Sequence, residues 1–144
     1  MSGIERPAVL SGATYKLRCP HIESALYLTV NDAILPDGRR RIREVFLNSK
    51  AVEDIAWMTS ALRELSQNLA RIETDDELIA KVEDWKESFD PKNGGYVIPG
   101  TVTSCRGIQS HIGYVFEKHI KRTADEDAAE ARKKILLPDG ETKE

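Results

Sequence analysis

The chain has 144 residues, of which 40% are hydrophobic and 31% charged, a balance that fits one globular domain with a solvated surface rather than two domains or a disordered tail protein. Its 21 Lys and Arg stand against 24 Asp and Glu, a formal net charge of -3, so no global positive field exists for sequence-independent binding to nucleic acid. Cys19 and Cys105 form no C-x-x-C, which leaves a disulfide framework, a zinc ribbon and a local dithiol unsupported. No apolar run approaches the roughly 18 to 20 residues of a membrane helix, and Met1 to Leu10 carries Glu5, Arg6 and Pro7 where a signal peptide would be apolar. The expectation is a soluble, cytoplasmic protein with free thiols and no membrane partner.

After a lead over 1–12, Thr14 to Cys19 alternates Tyr15, Leu17 and Cys19 with polar residues, the period of a half-buried strand, and Pro20 stops it. Ala25 to Val30 is rich in apolar, β-branched and aromatic residues with little polar character, predicting a central strand buried on both faces. Pro36-Asp37-Gly38 reverses the chain, and Arg41 to Leu47 returns as the third strand of an antiparallel meander. Asn48 or Ser49 can cap a first helix, whose apolar stripe runs from Val52 through Ile55, Met58, Leu62, Leu65 and Leu69 to Ile72. Thr74 and Glu77 have capping-box spacing, opening a second helix with Leu78, Ile79, Val82, Trp85 and Phe89 on one stripe. Asp90-Pro91 ends it, and Tyr96 to Gly100 reads as an extended connector. A third helix is predicted from Arg106 or Gly107 to about Lys121, with Ile108, Ile112, Val115, Phe116 and Ile120 inward. The charged tail, 122–144, reads as a helical continuation that frays. Strands first and helices afterwards predict an α+β domain over 13–121: a three-strand antiparallel meander followed by three helices packed on one face.

Two stretches carry binding chemistry. Arg39, Arg40, Arg41 and Arg43 form the dense positive cluster, and guanidinium forks match phosphate oxygens; the competing reading is a strand edge guarded by charge. Thr103, Ser104, Cys105, Arg106 and Gly107 precede the third helix, where unpaired N–H groups favour an anion or a thiolate; the competing reading is a cap followed by a packed thiol. If both converge, they make a site for a nucleotide or another phosphate ligand. His111 and His119 lie eight positions apart (119 minus 111), about 12 Å along a helix and too far for one metal ion. Asn31-Asp32 and Glu53-Asp54 are acid–base candidates with no His near them in sequence. No catalytic or metal set is assembled, and Trp57 and Trp85 read as core or interface aromatics.

Several motifs stand in a suggestive order: Ala13 to Leu17 with Pro20, Ala25 to Asp32, Arg43 to Lys50, Phe89-Asp90-Pro91 with Gly94-Gly95-Tyr96, then Thr103-Ser104-Cys105 and His111-Ile112-Gly113. Together, over about 12–121, they resemble the TSCPD-type domain found at the C-terminal end of adenosylcobalamin-dependent (class II) ribonucleotide reductases, or as a separate small subunit. Where that motif continues Pro-Asp, this chain has Arg106-Gly107, and no Cys follows Cys105. The resemblance therefore implies no radical-generating barrel, cobalamin site or thiol shuttle, and no cofactor in this chain. It implies a noncatalytic accessory or regulatory domain that docks on a class II reductase catalytic chain, or a homologue encoded alone, as by a phage. The alternative is a stand-alone nucleotide- or phosphate-binding module, and a weaker one is a small thiol enzyme centred on Cys105. The long apolar stripe of the first helix, with Trp57 on its flank, adds the expectation of a homo-oligomer.

Overall fold

A computed structural model describes residues 6–91 and 93–136; the first five residues of the lead and the tail beyond 136 lie outside the described residues. Strands β1 (Ser11–Leu17), β2 (Leu26–Ile34) and β3 (Arg40–Ser49) form an antiparallel sheet in that order, the meander expected from sequence. Leu35 N–H donates to the Arg39 carbonyl at 2.7 Å and Gly38 N–H to the Leu35 carbonyl at 2.8 Å, closing the turn between β2 and β3. Gly38 has φ 89°, a conformation that favours glycine.

The helices cover only one face of this sheet, which corrects the expectation for β2. Leu26, Leu28 and Val30 are fully buried, while the intervening Tyr27 is 42% exposed on the other face. The run is apolar because a tyrosine tolerates a half-wet position, so β2 is central in the sheet yet buried on one face. In β3, Ile42 and Val45 both face the core although they stand three apart, an odd spacing that a regular strand cannot put on one face. A bulge resolves this: Asn31 pairs with Glu44 and Asp32 with Ile42, so Arg43 is the extra residue and the phase of β3 resets there.

Helix α1 (Val52–Leu69) packs along β3, burying Ile55, Met58, Leu62, Leu65 and Leu69, with Ile72 buried just beyond its end. Its N-cap is Ala51, without a side-chain cap; Asn48 and Ser49 are still in β3, and Ser49 Oγ accepts from Ala51 N–H while donating to the Ala25 carbonyl. Val52 and Trp57 stay exposed. Ser66 of α1 reaches the outer edge of β3, where its hydroxyl accepts from Val45 N–H at 3.1 Å and lies 3.3 Å from the Val45 carbonyl.

Helix α2 (Asp75–Lys86) begins with the expected capping box: Thr74 Oγ1 accepts from Glu77 N–H, and Glu77 Oε1 accepts from Thr74 N–H. It buries Leu78, Val82 and Trp85, leaving Ile79 and Phe89 outside. The expected connector contains a small hairpin, β4 (Tyr96–Val97) against β5 (Ser104–Cys105), with Tyr96 opposite Cys105. Helix α3 (Ile108–Leu136) follows; at 29 residues it runs about 43 Å, past the expected end at Lys121. Its contact with α2 is close: a Cβ on Gly113 would sit 2.6 Å from the Lys86 nitrogen, and Ser110 Oγ donates to the Lys86 carbonyl at 2.6 Å. Among the described residues no helix is long and apolar enough to cross a membrane.

Candidate functional site

Two phenol–imidazole pairs hold α3 to the rest of the molecule. In the first, His119 of α3 points into the sheet at 1% exposure. Its Nε2 lies 3.0 and 2.9 Å from the two oxygens of Asp32, and its Nδ1 lies 2.6 Å from the Tyr15 hydroxyl. A carboxylate can only accept, so Nε2 carries the proton toward Asp32 and Nδ1 keeps a lone pair for the Tyr15 O–H in the neutral ring. Burial raises the Tyr15 phenol above its ordinary value, with the Arg122 guanidinium 5.8 Å from the ring opposing that shift. The order phenol, imidazole, carboxylate is that of a proton relay, but the phenolic proton is directed inward.

The second pair is Tyr96 of β4 with His111 of α3, whose Nδ1 lies 2.8 Å from the Tyr96 hydroxyl, within hydrogen-bond distance. Desolvation pushes His111 down to about 4, so it is neutral near pH 7. Tyr96 is raised, first by desolvation and then by the neighbouring sulfurs of Cys19 and Cys105. Both cysteines are free and buried. Cys105 is in β5 rather than at the helix start, and α3 is opened by the Gly107 carbonyl accepting from His111 N–H at 2.9 Å. Thr103 and Ser104 are likewise hairpin residues and not caps: Thr103 N–H donates to Thr101 Oγ1, and Ser104 pairs with Val97. Arg106 extends toward Glu87, and Gly107, at φ 153°, approaches Asp90 so closely that a Cβ would lie 2.5 Å from the Asp90 Cβ.

A cleft of about 410 Å³ opens beside this cluster, between Cys19 and His21, the start of α1, and Phe89, Asp90, Pro91 and Asn93. Trp57, 51% exposed, and Phe89, 69% exposed, are aromatic lining residues, and Glu53, Asp54 and Asp90 supply carboxylates. That lining disfavours a phosphate, since the acids repel it and none of the described residues lining the cleft is Lys or Arg. Among the described residues, no group of His, Cys, Asp and Glu is placed to hold a metal ion.

The arginine cluster is engaged internally. Arg39 bonds Asp37 at 2.8 Å and Asp75 at 2.6 Å; Arg40 bonds Glu126 at 2.8 Å and Asp127 at 3.0 Å. Arg41, 7% exposed, meets Asp75 at 2.8 Å and the Ile72 carbonyl at 3.4 Å, with its Nε buried and without a partner. Arg43, the bulge residue, also has interactions within the fold. The condition for a joint site, that these arginines meet residues 103–107, is not met. Arg40 meets α3 at Thr123, Glu126 and Asp127, and those lie 15 to 19 residues beyond Ile108, roughly 22 to 28 Å along the axis. The physical reason is the length of α3, which separates its N-terminus from the turn carrying the arginines.

Sequence reading did not find the Asp32–His119 pair, whose members stand 87 positions apart. A usable signal existed in the helix stripe: His119 falls four after Val115 and seven after Ile112, on the buried face. No protein-family model, curated protein or solved structure matches the chain.

Proposed function

We propose that this chain is a noncatalytic accessory domain that acts by binding another protein, and, on the strength of its motif order, that the partner is the catalytic chain of a class II ribonucleotide reductase. The observation that carries the association reading is the outer face of the sheet, opposite the helices. There Tyr27 and Phe46 stand diagonally across β2 and β3, 42% and 49% exposed, beside the Thr14–Thr29 hydroxyl pair at 3.0 Å. Half-exposed aromatics on a sheet gain by burial against a partner, and large rigid side chains are the usual anchors of interfaces. Among the described residues of the lead, Arg6 reaches one end of this face, bonding Glu44 at 2.6 Å.

The test is titration of the chain into a class II catalytic chain encoded beside it, followed by calorimetry. A saturable complex weakened at least roughly tenfold by Tyr27→Asp with Phe46→Asp is expected, from the loss of two anchors. No complex, or one indifferent to both substitutions, refutes the reading. The same face serves a homo-oligomer, most simply a dimer, and light scattering at tens of micromolar, about the range where a useful interface persists, reads that state directly. Alone, with adenosylcobalamin and a dithiol, the chain is expected to turn over no ribonucleotide.

The nucleotide-binding alternative is less favoured, because Arg39, Arg40 and Arg41 already hold carboxylates. A nucleoside triphosphate that raises the melting temperature, with the rise lost on Arg39→Glu, would reverse that preference.

A further inference from the structure

The two edges of the sheet are unlike. Along β3, Ser66 satisfies Val45, and Arg40 N–H donates to Asp127 at 3.1 Å. The same geometry fixes which groups of β1 face outward. Val45 turns its N–H and carbonyl away from β2, so Val30, opposite it, turns its own toward β1 and bonds Ala13. Alternation then points the backbone groups of Gly12, Thr14 and Lys16 off the edge of the sheet. Among the described residues none of these groups has a backbone or side-chain partner.

Beside that edge runs an open groove of about 480 Å³, with Ile98 of the hairpin and Tyr114 and Val115 of α3 on its far side. Lys16, Arg18 and Lys118 line it, and none of them has an ion-pair partner among the described residues. Glu117, the one acid among the lining residues, is held by Lys86 at 2.6 Å. In a chain of net charge -3, three free cations along one groove are a local reversal of sign.

We propose that this edge and groove take an extended acidic segment of a partner protein as a fourth strand. The backbone of the segment pairs with Gly12, Thr14 and Lys16, its carboxylates meet Lys16, Arg18 and Lys118, and its alternate apolar side chains face Ile98 and Val115. The cations choose the occupant: like charge keeps a second copy of this edge away, while a segment of opposite charge is drawn in. The surface is separate from the outer-face aromatics, and its occupant need not be a reductase.

A fluorescein-labelled peptide alternating valine and glutamate is titrated against the full chain by anisotropy, beside a valine–lysine peptide and a valine–glutamate peptide N-methylated at alternate residues. Expected are saturable binding of the first peptide and at least roughly tenfold weaker binding of each of the others, since one loses the charge match and the other the backbone bonds. Combined Lys16→Glu, Arg18→Glu and Lys118→Glu weakens the first peptide by a similar factor while the melting temperature stays put, because all three side chains are exposed. Amide signals of Gly12, Thr14 and Lys16 shift on binding. Failure of the first peptide to bind, equal binding of the N-methylated or the lysine peptide, or indifference to the charge reversals overturns the proposal. Competition by a single-stranded oligonucleotide as effective as the peptide also overturns it, in favour of a nucleic-acid groove. No reductase is present in the assay, so its failure leaves the outer-face reading standing.

Discussion

The two phenol–imidazole pairs use the same atoms, a tyrosine hydroxyl on a histidine Nδ1, in different surroundings. Tyr15–His119 ends on the carboxylate of Asp32, itself 3% exposed, whereas desolvation alone sets the ionisation of His111. A buried imidazole beside a carboxylate has a partner for its proton; one without has only the cost of charging. The first pair therefore acts as a tie between sheet and helix, and the second as a place where added acid destabilises the fold.

Removing His119 should have the largest effect. His119→Ala strips Asp32 of its bonding partner and opens a cavity, and a loss of about 3 to 5 kcal/mol is expected in urea unfolding. A loss below about 1 kcal/mol would mean that water replaces the ring, dissolving the contrast. Next comes the response to pH. His111 is held at about 4, below its ordinary 6.5, so the unfolded chain takes up a proton first. The stabilising contribution is complete above about pH 6.5 and is lost as pH falls toward 4, about 3 kcal/mol in all. Glu44, lowered by its bond to Arg6 from an ordinary 4.5, and Asp75, lowered by Arg39 from 3.8, lose their contributions further into acid. Between about pH 5 and 6.5 these two carboxylates contribute little, and His111→Gln should reduce the slope of the stability profile there. An unchanged slope would assign it elsewhere.

Tyr96→Phe and Tyr15→Phe compare the hydroxyls directly. Each leaves a buried Nδ1 without its hydrogen-bond partner and should cost about 1 to 2 kcal/mol. A loss near zero for either variant would mean that its Nδ1 finds another partner when the hydroxyl is gone. The smallest effect belongs to Arg122→Gln, a half-exposed side chain whose loss should change stability by under about 0.5 kcal/mol. It should nonetheless raise the Tyr15 pKa, read by ultraviolet titration, because the guanidinium is what opposes the effect of burial there.

Legibility from sequence followed the range of the forces involved. The meander, the Thr74 capping box and the inner stripes of all three helices depend on residues within a few positions of one another, and those patterns are visible in the chain. The bulge at Arg43 left a trace too, in the odd spacing of Ile42 and Val45, which strand alternation forbids. The partners of the arginines left none: nothing local ties Arg40 to Asp127, 87 positions away, or Arg41 to Asp75, 34 positions away. The β4–β5 hairpin escaped because two-residue strands carry too little pattern to separate from a connector. Asp32 was weighed as an acid without a histidine because its histidine arrives only when α3 folds back over the sheet.

The hydroxyl of Ser66 on Val45 gives the sheet a direction. A sheet extends from either side in principle, and repeated pairing of both sides between copies makes a filament. Here the chain's own serine and aspartate occupy backbone groups of Val45 and Arg40 on the β3 side. Added strands are steered to β1, and the two-sided, copy-on-copy stacking that builds a fibre is opposed.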